Sequence, residues 1–314
     1  MRIVCKEPEL LQTPQFCPEL PSLQQVIDNT SIALFKDCPR KYYYAMVLGY
    51  RPKGVSAPLV WGNAYHAVVE MYDRLRLQGK DKDTALHACI RHAFALGSNG
   101  FGDDSARTLT TLVRTIVWYA EQYGENDPLK THQFAEGFDG LELAFRFSLP
   151  KQINCTEKSY IYCGYIDKVA EYNGELYAVE RKHTKQALDD RFYAKYEFSA
   201  QICGYAMAGL QCFDTPIVGV VIDGLQVQVN NVRFGRRVVP RIAQYLDEWL
   251  EDLLYWIGRM EDAALHQQWP RNTEACNKFT GCQFREVCKK APEIREMALE
   301  EDFVVDRWNP LAER

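Results

Sequence analysis

The chain has 314 residues, 47% hydrophobic and 25% charged, enough to bury a sizeable core as one large domain or as a core with attached subdomains. A formal net charge of −5 excludes a basic coat over the whole surface, of the kind that binds nucleic acid indiscriminately, but leaves room for a local basic groove. No run of about eighteen uninterrupted apolar residues occurs, and MRIVCKEPELLQTPQ has no apolar stretch behind Arg2, so neither a membrane span nor a signal peptide is predicted and a cytoplasmic location is expected.

Residues 1–29 are rich in Pro, Gln and Glu with little periodicity and are expected to form an irregular lead-in. Thr30-Ser31 opens a capped helix in SIALFKDCPRKYYYAMVLGY, which carries Leu34, Phe35 and an aromatic cluster. Further helices are predicted at about 62–77, 82–97 and 104–123; in the last, Leu109, Leu112, Val113, Ile116 and Val117 recur at three- and four-residue intervals. These make a helical block over 30–127. After Pro128 the period falls to two: in LELAFRFSL, 141–149, the odd positions hold Leu, Leu, Phe, Phe and Leu, as expected of a strand with one buried face. Strands near 160–171 and 175–182, a helix at about 197–211 and the apolar run IVGVVI at 217–222 complete a core over 128–239. A long helix at about 240–267 opens a cysteine-bearing C-terminal region, 240–314. The element order is that of an α/β protein.

Within the core, GYIDKVAEYNGELYAVERK (164–182) joins two strands through Asn173-Gly174, a strong signal for a two-residue type I′ hairpin turn. With that turn Tyr172 pairs with Glu175, paired residue numbers sum to 347, and Asp167 lies opposite Glu180. Like charges so placed destabilise a sheet unless something compensates. A divalent cation is one answer, since Mg²⁺ and Mn²⁺ take carboxylates, water and phosphate oxygens. Lys182, on the same face as Glu180, would then hold a water or stabilise charge on a phosphate. A surface ion network of Asp167, Glu180 and Lys182 is the other answer.

SIALFKDCPRKYYY (31–44), GNAYHAVVE (62–70), GYID (164–167), VERK (179–182) and QICGY (201–205) follow one another in an order that resembles the RecB-like branch of the PD-(D/E)xK nuclease superfamily, across roughly residues 30–290. That branch includes AddB-like and CRISPR-adaptation nucleases and related phage proteins. The resemblance implies a restriction-endonuclease-like mixed sheet with flanking helices, an N-terminal helical block and a C-terminal segment tied down by four cysteines. It implies that His66, Asp167 and Glu180 are metal ligands for Mg²⁺ or Mn²⁺ and that Lys182 is the catalytic lysine. Gln201 and Tyr205, one helical turn apart, would flank the site and touch the strand or support the catalytic residues, and Glu142 would correspond to a further acid. Taken alone, His66 also suits a packing role and Gln201 with Tyr205 a plain polar stripe; Glu70, at i+4 from His66, suits either an orienting partner or a surface acid.

Eleven cysteines, an odd number, in a chain expected to be intracellular favour metal ligation for those that cluster. ACNKFTGCQFREVC spaces Cys276, Cys282 and Cys288 as C-x5-C-x5-C, and Cys38 stands far upstream before Pro39. Four thiolates suit a [4Fe–4S] cluster or a structural Zn²⁺. The layout resembles the family's iron–sulfur staple, although the commoner family spacing has a shorter first gap. Cys5, Cys17, Cys89, Cys155, Cys163, Cys203 and Cys212 lack the spacing and read as packing residues.

Arg40-Lys41, Arg51 with Lys53, Lys182-His183 with Lys185, and Arg233, Arg236, Arg237 and Arg241 are candidates to line a phosphate groove or to be solvated charges. Tyr42, Tyr43, Tyr44 and Trp61 are candidates to stack on bases or to pack in the core. The expected activity is that of a metal-dependent deoxyribonuclease, an exonuclease acting on free ends of single- or double-stranded DNA in end processing, phage recombination or CRISPR adaptation. With no G-x-x-x-x-G-K-[ST] motif, unwinding is expected from a partner, a helicase, or the chain works with a single-strand annealing or CRISPR protein. The competing readings are a non-catalytic DNA-binding module of the same fold and a zinc-stapled structural protein.

Overall fold

The Asn173-Gly174 turn sets the register of the central sheet. In the computed structural model, which describes residues 2–54, 56–135, 137–154, 158–213, 216–241, 243–278 and 281–309, Asn173 and Gly174 have φ of 53° and 81°. Positive φ at both central residues is what a type I′ turn requires. The ladder then runs from Tyr172 opposite Glu175 to Lys168 opposite Val179, the expected register, and Asp167 and Glu180 stand one step beyond its last pair.

The main elements in chain order are helices α1 (Asn29–Asp37), α2 (Ala57–Leu77), α3 (Lys82–Leu96) and α4 (Leu109–Tyr123), strands β1 (Leu141–Gln152), β2 (Ser159–Tyr172) and β3 (Glu175–Thr184), helix α5 (Ala200–Cys212), strands β4 (Ile217–Val227) and β5 (Val232–Pro240), and helix α6 (Ala243–Leu265). The sheet runs β1-β2-β3-β4-β5, with Arg2–Val4 beyond β1 and Val26–Ile27 and Lys130–Thr131 both pairing with β2. It is mixed: β2/β3 and β4/β5 are antiparallel, while β3/β4 are parallel and joined through α5, as a parallel pair requires a crossover. The expected α/β fold, a central mixed sheet with flanking helices, is what forms. No described helix is long and apolar enough to cross a membrane.

The chain divides into two compact units, and β1 and β2 each contribute to both. The first comprises Met1–Val4, Val55–Ala144 and Tyr165–Ala243. Here Tyr65, Val68, Val69 and Tyr72 of α2 pack with Leu112, Ile116 and Tyr119 of α4 and with Leu225 and Val227 of β4. Side-chain caps start two of these helices: Asp81 accepts from the Thr84 N–H at 2.8 Å, and Thr108 accepts from the Thr111 N–H at 3.1 Å. The Thr108 cap explains why α4 begins five residues later than the apolar pattern predicts.

The second unit comprises Cys5–Gly54, Phe145–Gly164 and Gln244–Arg314. Its α1 is capped by Asp28, which accepts from the Ser31 N–H at 2.7 Å, and ends at Cys38, where the backbone is extended before Pro39 starts a further short helix. Tyr44, Phe284, Val287, Leu299 and Phe303 form one of its cores. The lead-in expected to be irregular holds paired strands: Phe16–Cys17 with Leu20–Gln24, and Val26–Ile27 with Ile161–Tyr162. These strands are too short to show a period, and the last is specified by a partner over a hundred residues away.

A Cβ at Gly174 would meet nothing within 4 Å, so any substitution cost there comes from the backbone alone. Gly174→Ala should lower unfolding free energy by about 1 kcal/mol, seen as a lower urea midpoint at unchanged slope, and Asn173→Gly should be near neutral.

Candidate functional site

Strand β3 sends alternate side chains to two different helices. Glu180 and Lys182 face α5. The Tyr205 hydroxyl donates to one Glu180 carboxylate oxygen at 2.6 Å, and Gln201 Nε2 donates to the other at 3.1 Å and to the Tyr205 oxygen at 2.7 Å. Lys182 forms an ion pair with Glu180 and donates to Gln201 Oε1 at 3.5 Å. Burial disfavours the Lys182 ammonium, but Glu180 outweighs burial and raises its pKa.

Asp167, on β2, has its own partners. Its Oδ2 accepts the backbone N–H of Arg181 at 2.9 Å, and its Oδ1 lies 3.4 Å from His66 Nδ1. Asp167 is 3% and Glu180 4% exposed. Burial alone would raise the Asp167 carboxyl; the His66 and Arg181 charges and the Arg181 N–H hold it well below the usual carboxylate range. For His66 burial works against the imidazolium, and Asp167 outweighs it, lifting the ring above its ordinary 6.5. The two carboxylates that the hairpin brings together are therefore each matched by a protein cation. Their oxygens are turned to these donors, and among the described residues no group of three or more His, Cys, Asp or Glu side chains converges as a ready metal cage.

The other face of β3 binds α2. Arg181 Nη2 donates to Asp73 Oδ2 at 2.5 Å, and Lys168 Nζ reaches the same oxygen at 3.3 Å. Asp73 lies seven residues after His66, on the same side of α2. Burial would raise its carboxyl, and Lys168 and Arg181 bring it down instead. Arg181 Nε and Nη1 are buried without a hydrogen-bond partner. His183 packs edge-on to Trp61, and a Cβ at Gly62 would stand 2.5 Å from its Nε2. That approach is why glycine opens GNAYH. Burial pushes the His183 ring down to about 4, so it is neutral.

Glu142 is partly buried, with φ of 48°, a conformation rare outside glycine. Burial first, then Asp167 and Glu70, push its carboxyl up to about 7. Glu70 pairs with Arg74 at 2.7 Å, and Arg74 also holds Asp139 at 2.9 Å, so of the two roles open to Glu70 it takes that of an ion-paired acid outside the His66 contact.

Most of the candidate phosphate-groove cations are already engaged. Arg236 pairs with Asp127 at 2.5 Å and Asp223 at 3.1 Å and lies 3.7 Å over the Tyr123 ring. Arg237 pairs with Asp190 at 2.6 Å, Arg241 donates to the Tyr196 and Glu197 carbonyls, and Lys185 pairs with Asp104. Arg233 is exposed. Trp61 is fully buried and stacks on Tyr65, which corrects the base-stacking option in favour of packing.

In the second unit the same correction applies. Tyr42 and Tyr44 are buried, and Tyr43 stacks on Trp269. Arg40 donates to the Trp269 carbonyl, Lys41 pairs with Asp37, Arg51 with Asp306, and Lys53 donates to the Glu301 carbonyl. Asn272 gathers two of the cysteines: its N–H donates to Cys38 Sγ at 3.4 Å, and its carbonyl accepts from Cys276 Sγ at 3.8 Å. The Cys282 N–H donates to the Cys276 carbonyl at 3.1 Å. Burial and the nearby Cys38 thiol raise the Cys282 and Cys288 thiols, against the pull of Lys41 and Arg40 respectively. Cys17, Cys89, Cys163, Cys203 and Cys212 are buried, and Cys5 is partly so; Cys155 lies outside the described residues.

Sequence reasoning missed Asp73, Lys168 and Arg181. One signal was available: Arg181 interrupts a strand face that Val179 begins, and a cation there needs a buried acid.

A family model described as the PD-(D/E)XK nuclease superfamily matches residues 29–289. Among solved structures, the chain is similar to a candidate exonuclease from Eubacterium rectale, at 13% identity over 91% of this chain and 98% of that one, with a TM-score of 0.51. A second solved structure, SSO0001, aligns over 91% of each chain at 12% identity with a TM-score of 0.36, too low to bear on the fold. No curated protein matches the chain.

The His66–Asp167 pair has a defined pH signature. Asp167, depressed in the folded chain, contributes stability above its ordinary 3.8 that is lost as pH falls; His66, raised, contributes stability below 6.5 that is lost as pH rises through its folded value. In EDTA, the destabilisation caused by His66→Asn should be largest between about pH 4 and 6.5 and shrink on both sides. A difference that stays flat from about pH 4 to 9 would show that the pair does not form in solution.

Proposed function

The chain belongs to the PD-(D/E)XK nuclease superfamily, and from that premise we propose that it is a Mg²⁺- or Mn²⁺-dependent exonuclease hydrolysing DNA phosphodiester bonds in the cytoplasm. The observation that carries this is one constellation: Asp167, Glu180 and Lys182 side by side on a hairpin, with His66 from α2 and Gln201 and Tyr205 from α5 in direct contact. His66, Asp167 and Glu180 would hold the metal, a set of two carboxylates and one imidazole that suits a hard divalent ion. Bound there, the ion would polarise the phosphate and make water a better nucleophile at neutral pH.

The chain's own groups do the remaining work. Asp167 is ionised at every physiological pH and keeps its orientation through the Arg181 N–H. Tyr205 and Gln201 fix the orientation of the Glu180 carboxylate by each donating to one of its two oxygens. Lys182, whose raised pKa keeps it charged, offers N–H donors to the attacking water or to the phosphate oxygens. In this reading residues 30–127 deliver His66 and Cys38, residues 128–239 the acids and the lysine, and residues 240–314 the other three cysteines.

Exonuclease action on free ends, single- or double-stranded, is supported by the RecB-like motif order and by the candidate exonuclease that shares the fold. The role would lie in end processing, phage recombination or CRISPR adaptation, with a helicase, annealing or CRISPR protein as partner. Cys38, Cys276, Cys282 and Cys288 would hold a [4Fe–4S] cluster, or Zn²⁺. Support comes from their shared neighbourhood, in which Cys38 acts on both Cys282 and Cys288 and Asn272 joins Cys38 to Cys276. The closed Lys182–Glu180 pair favours, as second reading, a module that binds DNA without cleaving it.

The test is cleavage of end-labelled linear against covalently closed circular DNA in Mg²⁺, Mn²⁺ or EDTA. Loss of linear DNA alone, abolished by EDTA and reduced at least about 100-fold in Glu180→Gln and Lys182→Ala, is expected. Folded wild type that binds DNA and leaves it intact in every condition would favour the second reading, and undiminished variants would move the site elsewhere. Iron and sulfide analysis of wild type and Cys282→Ser tests the cysteines: both should be present in the first and lost with stability in the second, while zinc alone in wild type would replace the cluster.

A further inference from the structure

Between β3 and α5 the chain makes a short helix, Asp190–Ala194, and then the turn Lys195-Tyr196-Glu197-Phe198-Ser199. This turn is fixed by its own backbone: the N–H groups of Tyr196, Glu197 and Ser199 donate to the carbonyls of Tyr193, Ala194 and Tyr196 at 2.9, 3.1 and 3.1 Å. Arg241, itself buried, clamps it further by donating from one nitrogen to the Tyr196 and Glu197 carbonyls at 3.1 and 2.7 Å. Lys195 lies over the Phe192 and Tyr196 rings, 4.2 and 5.0 Å from their centroids.

The turn adjoins the site at both ends. Tyr196 is close enough to Lys182 and Glu180 to feel both charges, and Gln201, three residues beyond Phe198, is bonded to Glu180 and Tyr205. Between these two contacts stands Phe198, 91% exposed, the most exposed large hydrophobic side chain among the described residues. Tyr42, Tyr44 and Trp61 are buried. An aromatic ring in water, carried on a fixed backbone beside the proposed phosphate-cleaving site, has an obvious ligand chemistry, the π-face of a nucleobase, reached without the cost of ordering the backbone.

We propose that Phe198 is the stacking platform for a substrate base beside the scissile phosphate, so that the enzyme selects a strand whose end bases are unpaired. This rests on the nuclease reading above. Stacking needs a base free of its neighbour on one face, which a single-stranded or frayed end supplies and an intact duplex interior does not. Lys195 adds positive charge where the strand would pass, and the sequence preference should be weak, because every base has a π-face.

The test pairs a side-chain deletion with a base deletion. End-labelled single-stranded oligonucleotides, intact or carrying one abasic residue at successive positions from the end, are cleaved by wild type, Phe198→Ala and Phe198→Trp. Phe198→Ala should lose about tenfold or more in kcat/KM on the intact strand, and Phe198→Trp should retain activity. At one abasic position wild type should fall to the level of Phe198→Ala, while Phe198→Ala loses nothing more. In EDTA, Phe198→Trp should show oligonucleotide-dependent fluorescence quenching beyond that of wild type. Wild-type activity in Phe198→Ala, with the same loss at every abasic position in both proteins, would overturn the platform and leave the nuclease reading standing. Failure of folded wild type either to cleave or to bind any oligonucleotide would overturn both.

Discussion

Burying Asp167 and Glu180 on adjacent strands obliges this fold to supply cations, and most of the elements around β3 meet that demand. A pair of ionised carboxylates in a low-dielectric setting is costly unless each has a charged or hydrogen-bonding partner. Lys182 comes from the same strand as Glu180, and His66 comes from α2. Tyr205 and Gln201 donate to the two Glu180 oxygens from α5, and the backbone of Arg181 donates to one oxygen of Asp167. Helix α2, helix α5 and the hairpin are held in register by the same groups that form the candidate site, so stability and the proposed chemistry would have one origin.

The reverse face of β3 extends the same logic. Arg181 and Lys168 converge on Asp73, and this fixes α2 to the strands two helical turns from His66. Arg236 with Asp127 and Asp223 repeats the arrangement on β4 and β5. Such buried ion clusters add little net stability over apolar packing, but they tolerate only one geometry, because a displaced partner leaves a bare charge. Residues committed in this way are poorly placed to attract a phosphate backbone, whatever their sequence neighbourhood suggests.

How much could be read beforehand depended on whether the determining contact was local. The Asn173-Gly174 turn and the period-two pattern are local, so the register and the common face of Glu180 and Lys182 were legible to the residue. The helices were legible from their stripes, with starts set by caps such as Thr108. Arg181 and Asp73 lie 108 residues apart, and an arginine looks the same in sequence whether it meets solvent, a phosphate or a buried aspartate. For the same reason Arg236 reads equally well as a ligand-binding or a structural group, and the tyrosines at 42–44 leave base stacking open beside core packing. The short strands of the first thirty residues take their conformation from pairing, Val26–Ile27 with β2, and left no pattern to find.

The contact between Gly62 and His183 adds a dimension that charge does not. The spacing between α2 and β3 is metered by one missing methyl group: where any other residue would place a Cβ, the imidazole of His183 is seated against bare backbone. His66 is one turn farther along the same rigid helix, so its reach toward Asp167 inherits that spacing. A single hydrogen atom at position 62 thus acts as the gauge for a side chain four residues away.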